Sequence, residues 1–232
     1  MAFTETRYES RVALAAAVAV RIADDLAAAI AKNGAASLIV PGGTTPVAVF
    51  DALAQMPLAW DKVTVLPCDE RWVPRFHADS NEGLIHHHLQ QGKAKAAKLL
   101  GLYRPLPTPS DALAEIAASL RTIPRPFSSV FLGMGEDGHF ASLFPGRIET
   151  PAALDLNTGA EIMVLAEPAK GHPRIGLTLK ALIDTPRVLL VVTGAEKRVV
   201  LGQAIANIND NGLPIAALLR QSRTPVDILL SE

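Results

Sequence analysis

Ser129-Val130-Phe131-Leu132-Gly133-Met134-Gly135-Glu136-Asp137-Gly138-His139 joins an apolar run to a glycine-rich turn and points to the architecture of the chain. Ser129–Leu132 is a short apolar run of the kind that forms a strand buried on both faces. Three glycines within six residues then let the backbone turn tightly and approach a ligand closely. An imidazole, the side chain best suited to moving protons near neutral pH, stands at the end of the turn. A strand that runs into a glycine-rich turn carrying Asp137 and His139 predicts the edge of an active site. Phe140-Ala141-Ser142-Leu143-Phe144-Pro145 follows.

Outward from this stretch, apolar runs and helical patterns alternate. Residues 9–33 form an Ala/Val/Leu-rich helical pattern that stops at Asn33-Gly34. Ser37-Leu38-Ile39-Val40 predicts a central strand. Thr45 is expected to cap a helix whose first position is Pro46 and which runs to Met56. Lys62–Leu66 predicts the next strand, leading into a loop at Cys68-Asp69-Glu70-Arg71-Trp72-Val73-Pro74. Asp79-Ser80-Asn81 offers caps for a helix to Gln90. A proline-rich connection spans 101–110, and a helix is expected from Asp111 to Thr122, capped by Ser110 or Asp111. Further strands are expected at 161–165, 187–192 and 226–230, with a helix at 196–206. Continuous apolar strands alternating with helices imply an α/β fold: a mainly parallel sheet covered by helices on both faces, in three layers. No repeat, low-complexity linker or composition break divides the chain, so residues 1–232 are expected to form one domain. In such sheets ligands gather beyond the carboxyl ends of the strands, and the Gly42, Asp69 and Gly133 loops are expected to share one rim.

The 232 residues are 49% hydrophobic and 19% charged, which excludes a disordered chain. A net charge of −1 advertises neither nucleic acid nor an anionic membrane as partner. One cysteine, Cys68, allows no internal disulfide and fits a reducing cytosol. The Ala-rich stretch 13–31 is broken by Arg21, Asp24 and Asp25, so it reads as a helix of a soluble protein, neither a signal peptide nor a membrane span. A cytoplasmic protein, monomeric or a small homo-oligomer, is expected.

Four segments could carry chemistry. Pro41-Gly42-Gly43-Thr44-Thr45-Pro46 joins a strand to a helix, and its glycines and threonines suit a phosphate; a tight turn before a capped helix reads the same way. It lacks the Gly-Lys-Ser/Thr ending of a Walker loop. Asp69, Glu70 and Arg71 form a charged run after a strand, where Arg71 offers a planar fork for phosphate or carboxylate, or a mere surface ion pair. His139 has Asp137 two residues away to orient it. Arg174 and Lys197 complete the set: Lys197 falls in a first helical turn, where a cation is unfavourable unless an anion offsets it. His86-His87-His88 is rejected as a metal site, because adjacent helical positions point in different directions.

Taken together, Pro41–Pro46, Asp69–Pro74, Asp79–Asn81, Gly133–His139, Ser142–Pro145 and Pro173-Arg174-Ile175 resemble the 6-phosphogluconolactonase family, in the family's order. The resemblance implies the Rossmann-like sugar-phosphate isomerase fold shared with glucosamine-6-phosphate deaminases. It implies a carboxylic ester hydrolase that opens 6-phospho-D-glucono-1,5-lactone, a small sugar-phosphate lactone, with no cofactor and no metal. It implies His139 as general base with Asp137 beside it, and Gly42, Gly43, Thr44, Asp69, Arg71, Arg174 and Lys197 as substrate-binding residues. The chain departs from the family pattern at Phe140, Glu82 and Gly176, and Phe140 is expected to reshape the pocket. A deaminase usually has an Asn-Glu-Pro element after Asp-Gly-His, where this chain has Ser142–Pro145. A sensor on the same fold would usually carry a DNA-binding appendage, for which no basic patch is evident.

Overall fold

In the computed structural model, residues 3–209 and 212–232 are described, with the backbone alone for 167–170. The elements in chain order are β1 (Phe3–Arg7), α1 (Arg11–Asn33), β2 (Ala36–Val40), α2 (Val47–Leu53), β3 (Val63–Pro67), β4 (Asp69–Arg71), α3 (Asn81–His88), β5 (Lys98–Leu99), α4 (Leu113–Leu120), β6 (Ser129–Gly133), α5 (Thr150–Leu154), β7 (Ile162–Lys170), β8 (His172–Leu177), α6 (Leu179–Leu182), β9 (Val188–Thr193), α7 (Ala195–Ala206), α8 (Pro214–Arg220) and β10 (Val226–Ser231). Seven strands form the main sheet in the order β1-β10-β9-β6-β2-β3-β5. Every neighbouring pair in it is parallel.

The period of two along each strand sorts its residues between two cores. Ile39, Val130, Leu132, Leu190 and Ile228 pack on one face with α4, α6, α7 and α8. Leu38, Val40, Phe131, Leu189 and Leu229 pack on the other with α1, α2 and α3. Phe50 and Phe131 meet edge to face there, with ring centroids 6.4 Å apart. Helix α1 starts where Ser10 accepts the Ala13 amide and ends at Gly34, with φ +77° in the left-handed region. These layers match the expected architecture.

Four local expectations need correction. Asp69–Arg71 is a strand, not a loop: β4 pairs antiparallel with β8, and β8 with β7, in a second sheet of three strands. The run at 161–165 therefore belongs to this hairpin and not to the parallel sheet; a short apolar run does not reveal which sheet it joins. Pro46 sits at the cap position of α2, which has no side-chain cap, so Thr45 does not play that part. The region 109–122 begins as a 3₁₀ turn, Pro109–Ala112, capped by Thr108 in a reciprocal capping box with Asp111. β1, β5, β8, α5, α6 and α8 were not expected; most are too short for periodicity to register.

Strand order reverses between β2 and β6. From β2 the chain passes through β3 and β5 on one side, and it returns through β6, β9 and β10 on the other. This is a topological switch point, where the loops after adjacent strands diverge and open a crevice. The Gly42 loop leaves β2 and the Gly133 loop leaves β6 at that place.

Candidate active site

A cavity of about 240 Å³ lies over this crevice. Gly42, Gly43, Thr44, Asp69, Arg71, His139, Arg174 and Lys197 all line it. Asp137 borders a second, polar opening that it shares with Glu136, His139 and Lys197. The expected common rim of the Gly42, Asp69 and Gly133 segments is thus present.

The Gly133 turn folds His139 back on its own loop. The Gly135 amide donates to the His139 carbonyl at 2.8 Å, and the Gly138 amide to the Gly135 carbonyl at 3.1 Å. Asp137 Oδ1 lies 2.5 Å from His139 Nδ1 and also accepts the His139 amide at 3.2 Å. Burial raises the Asp137 carboxyl, but the hydrogen bonds and charge of His139 outweigh it and hold the group below its usual range. Asp137 is therefore an ionised acceptor at neutral pH, and Nδ1 must carry the proton between them. In the neutral imidazole that tautomer leaves the lone pair on Nε2. Phe144 packs on the imidazole with ring centroids 4.4 Å apart and 35° between planes. The close fit of the loop leaves no room for a side chain at Gly135, where a Cβ would stand 2.2 Å from the ring.

The antiparallel register of β4 and β8 sets Arg71 directly opposite Arg174. Like charges so placed repel each other. Arg174 is 8% exposed, and burial, together with the charge of Arg71, lowers its pKa against the pull of Asp69. Neither Arg71 Nε nor Arg174 Nε, both buried, has a hydrogen-bond acceptor among the described residues. Buried charged donors without acceptors are costly, and an anion between them removes both the repulsion and the missing bonds. Lys197 stands in the first turn of α7 at the same cavity, with no ion pair among the described residues.

Two residues that frame this site were not singled out as site residues from the sequence. Asn81 accepts from Arg71 Nη1 at 3.1 Å and donates to the Asp69 carbonyl at 2.7 Å. Its side chain also occupies the space beside Gly42, where a Cβ would lie 1.9 Å from Asn81 Oδ1. It thus joins the β2 loop, β4 and α3. The sequence showed its capping context and its place in a segment shared with the family, but no role for its side chain; Ser80 is the cap, accepting the Gly83 amide at 3.0 Å. Ser142 donates to Asp69 Oδ2 and accepts from Arg174 Nη1 at 3.3 Å. Ala141 and Ser142 both hold positive φ, +47° and +60°, a conformation rare for residues with a Cβ. That turn lies against Gly176, where a Cβ would come within 2.9 Å of the Ala141 carbonyl oxygen.

Buried carboxylates brace the scaffold. Glu70 accepts the amides of Arg71, Asn81 and Glu82 and the Ser80 hydroxyl, at 2.7–3.1 Å. Burial pushes its carboxyl up to about 7, against the downward pull of those amides. Glu82, where the family often has an aromatic residue, accepts the Tyr103 amide at 2.8 Å and anchors the 101–103 segment. Phe140 is 1% exposed, so its ring belongs to the core bordering the cavity. Cys68 is buried and donates to Asp69 Oδ1 at 3.2 Å.

The family model for glucosamine-6-phosphate isomerases/6-phosphogluconolactonase matches residues 9–226. The chain belongs to this family. A relative from Caulobacter vibrioides named 6-phosphogluconolactonase is 40% identical over 237 residues, covering 100% of both chains. A second with the same name, from Mesorhizobium japonicum, is 42% identical over 221 residues, covering 95% of this chain and 92% of its own. The crystal structure of a 6-phosphogluconolactonase from Shewanella baltica superposes with a TM-score of 0.94 at 36% identity, covering 99% of this chain and 98% of that one.

Proposed function

We propose that this chain is a 6-phosphogluconolactonase, hydrolysing 6-phospho-D-glucono-1,5-lactone to 6-phospho-D-gluconate, the second step of the oxidative pentose phosphate pathway. The observation that carries the reading is the pairing of two features in one cavity: an Asp137-oriented imidazole and the opposed arginines Arg71 and Arg174. A lactone carbonyl is already electrophilic, so the chemistry needs a base and charge stabilisation and no covalent nucleophile. In this proposal the phosphate sits at Arg71 and Arg174, with Lys197 and the Gly42-Gly43-Thr44 backbone around the bound sugar phosphate.

His139 Nε2 takes a proton from water as the water oxygen bonds to C1. The C1 carbonyl electrons move to its oxygen, giving a tetrahedral oxyanion held by hydrogen-bond donors of the site. As the oxyanion collapses, the bond from C1 to the ring oxygen breaks. The imidazolium returns its proton to that oxygen, which becomes a hydroxyl, and the new carboxylic acid ionises. Asp137 holds Nδ1–H throughout and stabilises the imidazolium.

Ser142, Leu143, Phe144 and Pro145 follow the His139 loop and supply no carboxylate for an aminosugar-phosphate deaminase. The test is substrate choice: the protein should open freshly generated lactone above the spontaneous rate and release no ammonia from glucosamine 6-phosphate. Ammonia release without lactone opening would overturn the reading. The proposal includes a cytoplasmic enzyme, monomeric or a small homo-oligomer. A single buried thiol supports a reducing compartment. No helix among the described residues is long and apolar enough to cross a membrane.

A further inference from the structure

Next to Arg71, whose guanidinium bonds the Asp79 carbonyl, His77, Asp79 and His172 bring three ligand atoms within 4.8 Å of one another. None of the three lines the cavity. Asp79 Oδ2 is 3.1 Å from His172 Nε2 and 3.8 Å from His77 Nδ1. The two imidazoles stand edge to face, with centroids 5.1 Å apart. For ligands about 2.0–2.1 Å from a tetrahedral zinc, neighbouring donor atoms are separated by about 3.3 Å, and the Asp79–His172 and Asp79–His77 edges bracket that value. The Asp79 amide donates to His77 Nδ1 at 3.1 Å, so this nitrogen bears a lone pair, as a metal ligand must. The side chains are 43%, 58% and 30% exposed, which leaves room for an ion and for water as its fourth ligand.

We propose that His77, Asp79 and His172 form a binding site for one divalent transition-metal ion of the zinc class. Two imidazoles and one carboxylate suit such an ion better than calcium or magnesium, which prefer all-oxygen shells. On binding, the ion takes the place of the shared proton between His172 Nε2 and Asp79, and its coordination of His77 replaces the bond from the Asp79 amide. The site takes no part in the hydrolytic chemistry. It clips residues 74–79 to the start of β8, segments 93 residues apart in sequence. Each segment holds one arginine anchor: the Asp79 carbonyl accepts from Arg71 Nη1 at 2.6 Å, and His172 is two residues from Arg174 in β8. The Trp72 amide donates to the Pro173 carbonyl at 2.8 Å, linking the same strands. An ion there fixes the backbone that presents both guanidinium groups.

The test is titration of the metal-free full chain with Zn²⁺ alone, followed by calorimetry and by the shift in thermal unfolding. Wild type should bind one ion saturably and melt at a higher temperature when loaded, because the unfolded chain does not bring the ligands together. His172→Ala and Asp79→Asn should each weaken binding by about tenfold or more; Asp79→Asn leaves the backbone bond to Arg71 in place. A variant with His86, His87 and His88 all changed to alanine should bind as wild type does. Absence of saturable binding, equal affinity in His172→Ala and Asp79→Asn, or loss of binding in the triple variant would each overturn the proposal.

Discussion

One methyl group on Gly135 is expected to lower kcat by about 10²–10⁴, the range that a general base contributes. An alanine Cβ there would stand 2.2 Å from His139 Nδ1 and Cε1 and 2.8 Å from Asp137 Oδ1. The ring cannot stay where it is, and Phe144 packed on it limits where it can go. Displacing a proton-transfer group by about 1 Å is enough to cost about 10²-fold. The backbone itself accepts the change, since Gly135 is not among the residues with positive φ. Gly202, an exposed position of α7 that does not line the cavity, supplies the control: a Cβ there meets nothing within 4 Å. Steady-state kinetics should therefore show Gly135→Ala crippled and Gly202→Ala close to wild type, both with native circular dichroism. Wild-type kcat in Gly135→Ala would mean that the Asp137–His139 geometry does not drive the reaction.

Arg71→Ala is expected to reduce kcat/KM for the phosphorylated lactone by about 10- to 150-fold, mostly through KM. That range corresponds to about 1.5–3 kcal/mol for a hydrogen bond to a charged group. The same variant should change little with an unphosphorylated gluconolactone, which offers nothing to the guanidinium. Arg71→Lys should recover only part of the loss, because an ammonium lacks the planar fork. Arg71 also bonds the Asp79 carbonyl and Asn81, so a melting curve must accompany the kinetics. Equal losses on both substrates would place Arg71 outside phosphate recognition.

The parts of this site that follow strands directly were legible in the sequence. Gly42, Gly43 and Thr44 follow β2, and Asp137 and His139 are separated by one residue in a turn after β6, so strand order and local spacing locate them. The opposed arginines were not legible as a pair. Arg71 and Arg174 meet only because β4 and β8 join a second sheet, and β4 has three residues, too few to show a period. Asn81 and Ser142 stood in quoted segments, yet their roles depend on contacts with Asp69 and Arg71, which belong to a different element, β4. The capping error at 109–122 has a similar cause: Thr108 lay in the proline-rich connection and read as linker, while the box it forms with Asp111 starts the turn earlier. The triple histidine drew attention by composition, whereas His77 and His172, 95 positions apart, converge only through the fold.

The measurement that bears most directly on the account is formation of 6-phosphogluconate from freshly generated lactone, with the spontaneous rate subtracted, by wild type and by folded His139→Ala at equal concentration. Wild type is expected to turn over fast, and the variant to lose a factor of about 10²–10⁴. A folded His139→Ala protein that turns over as fast as wild type would contradict the account.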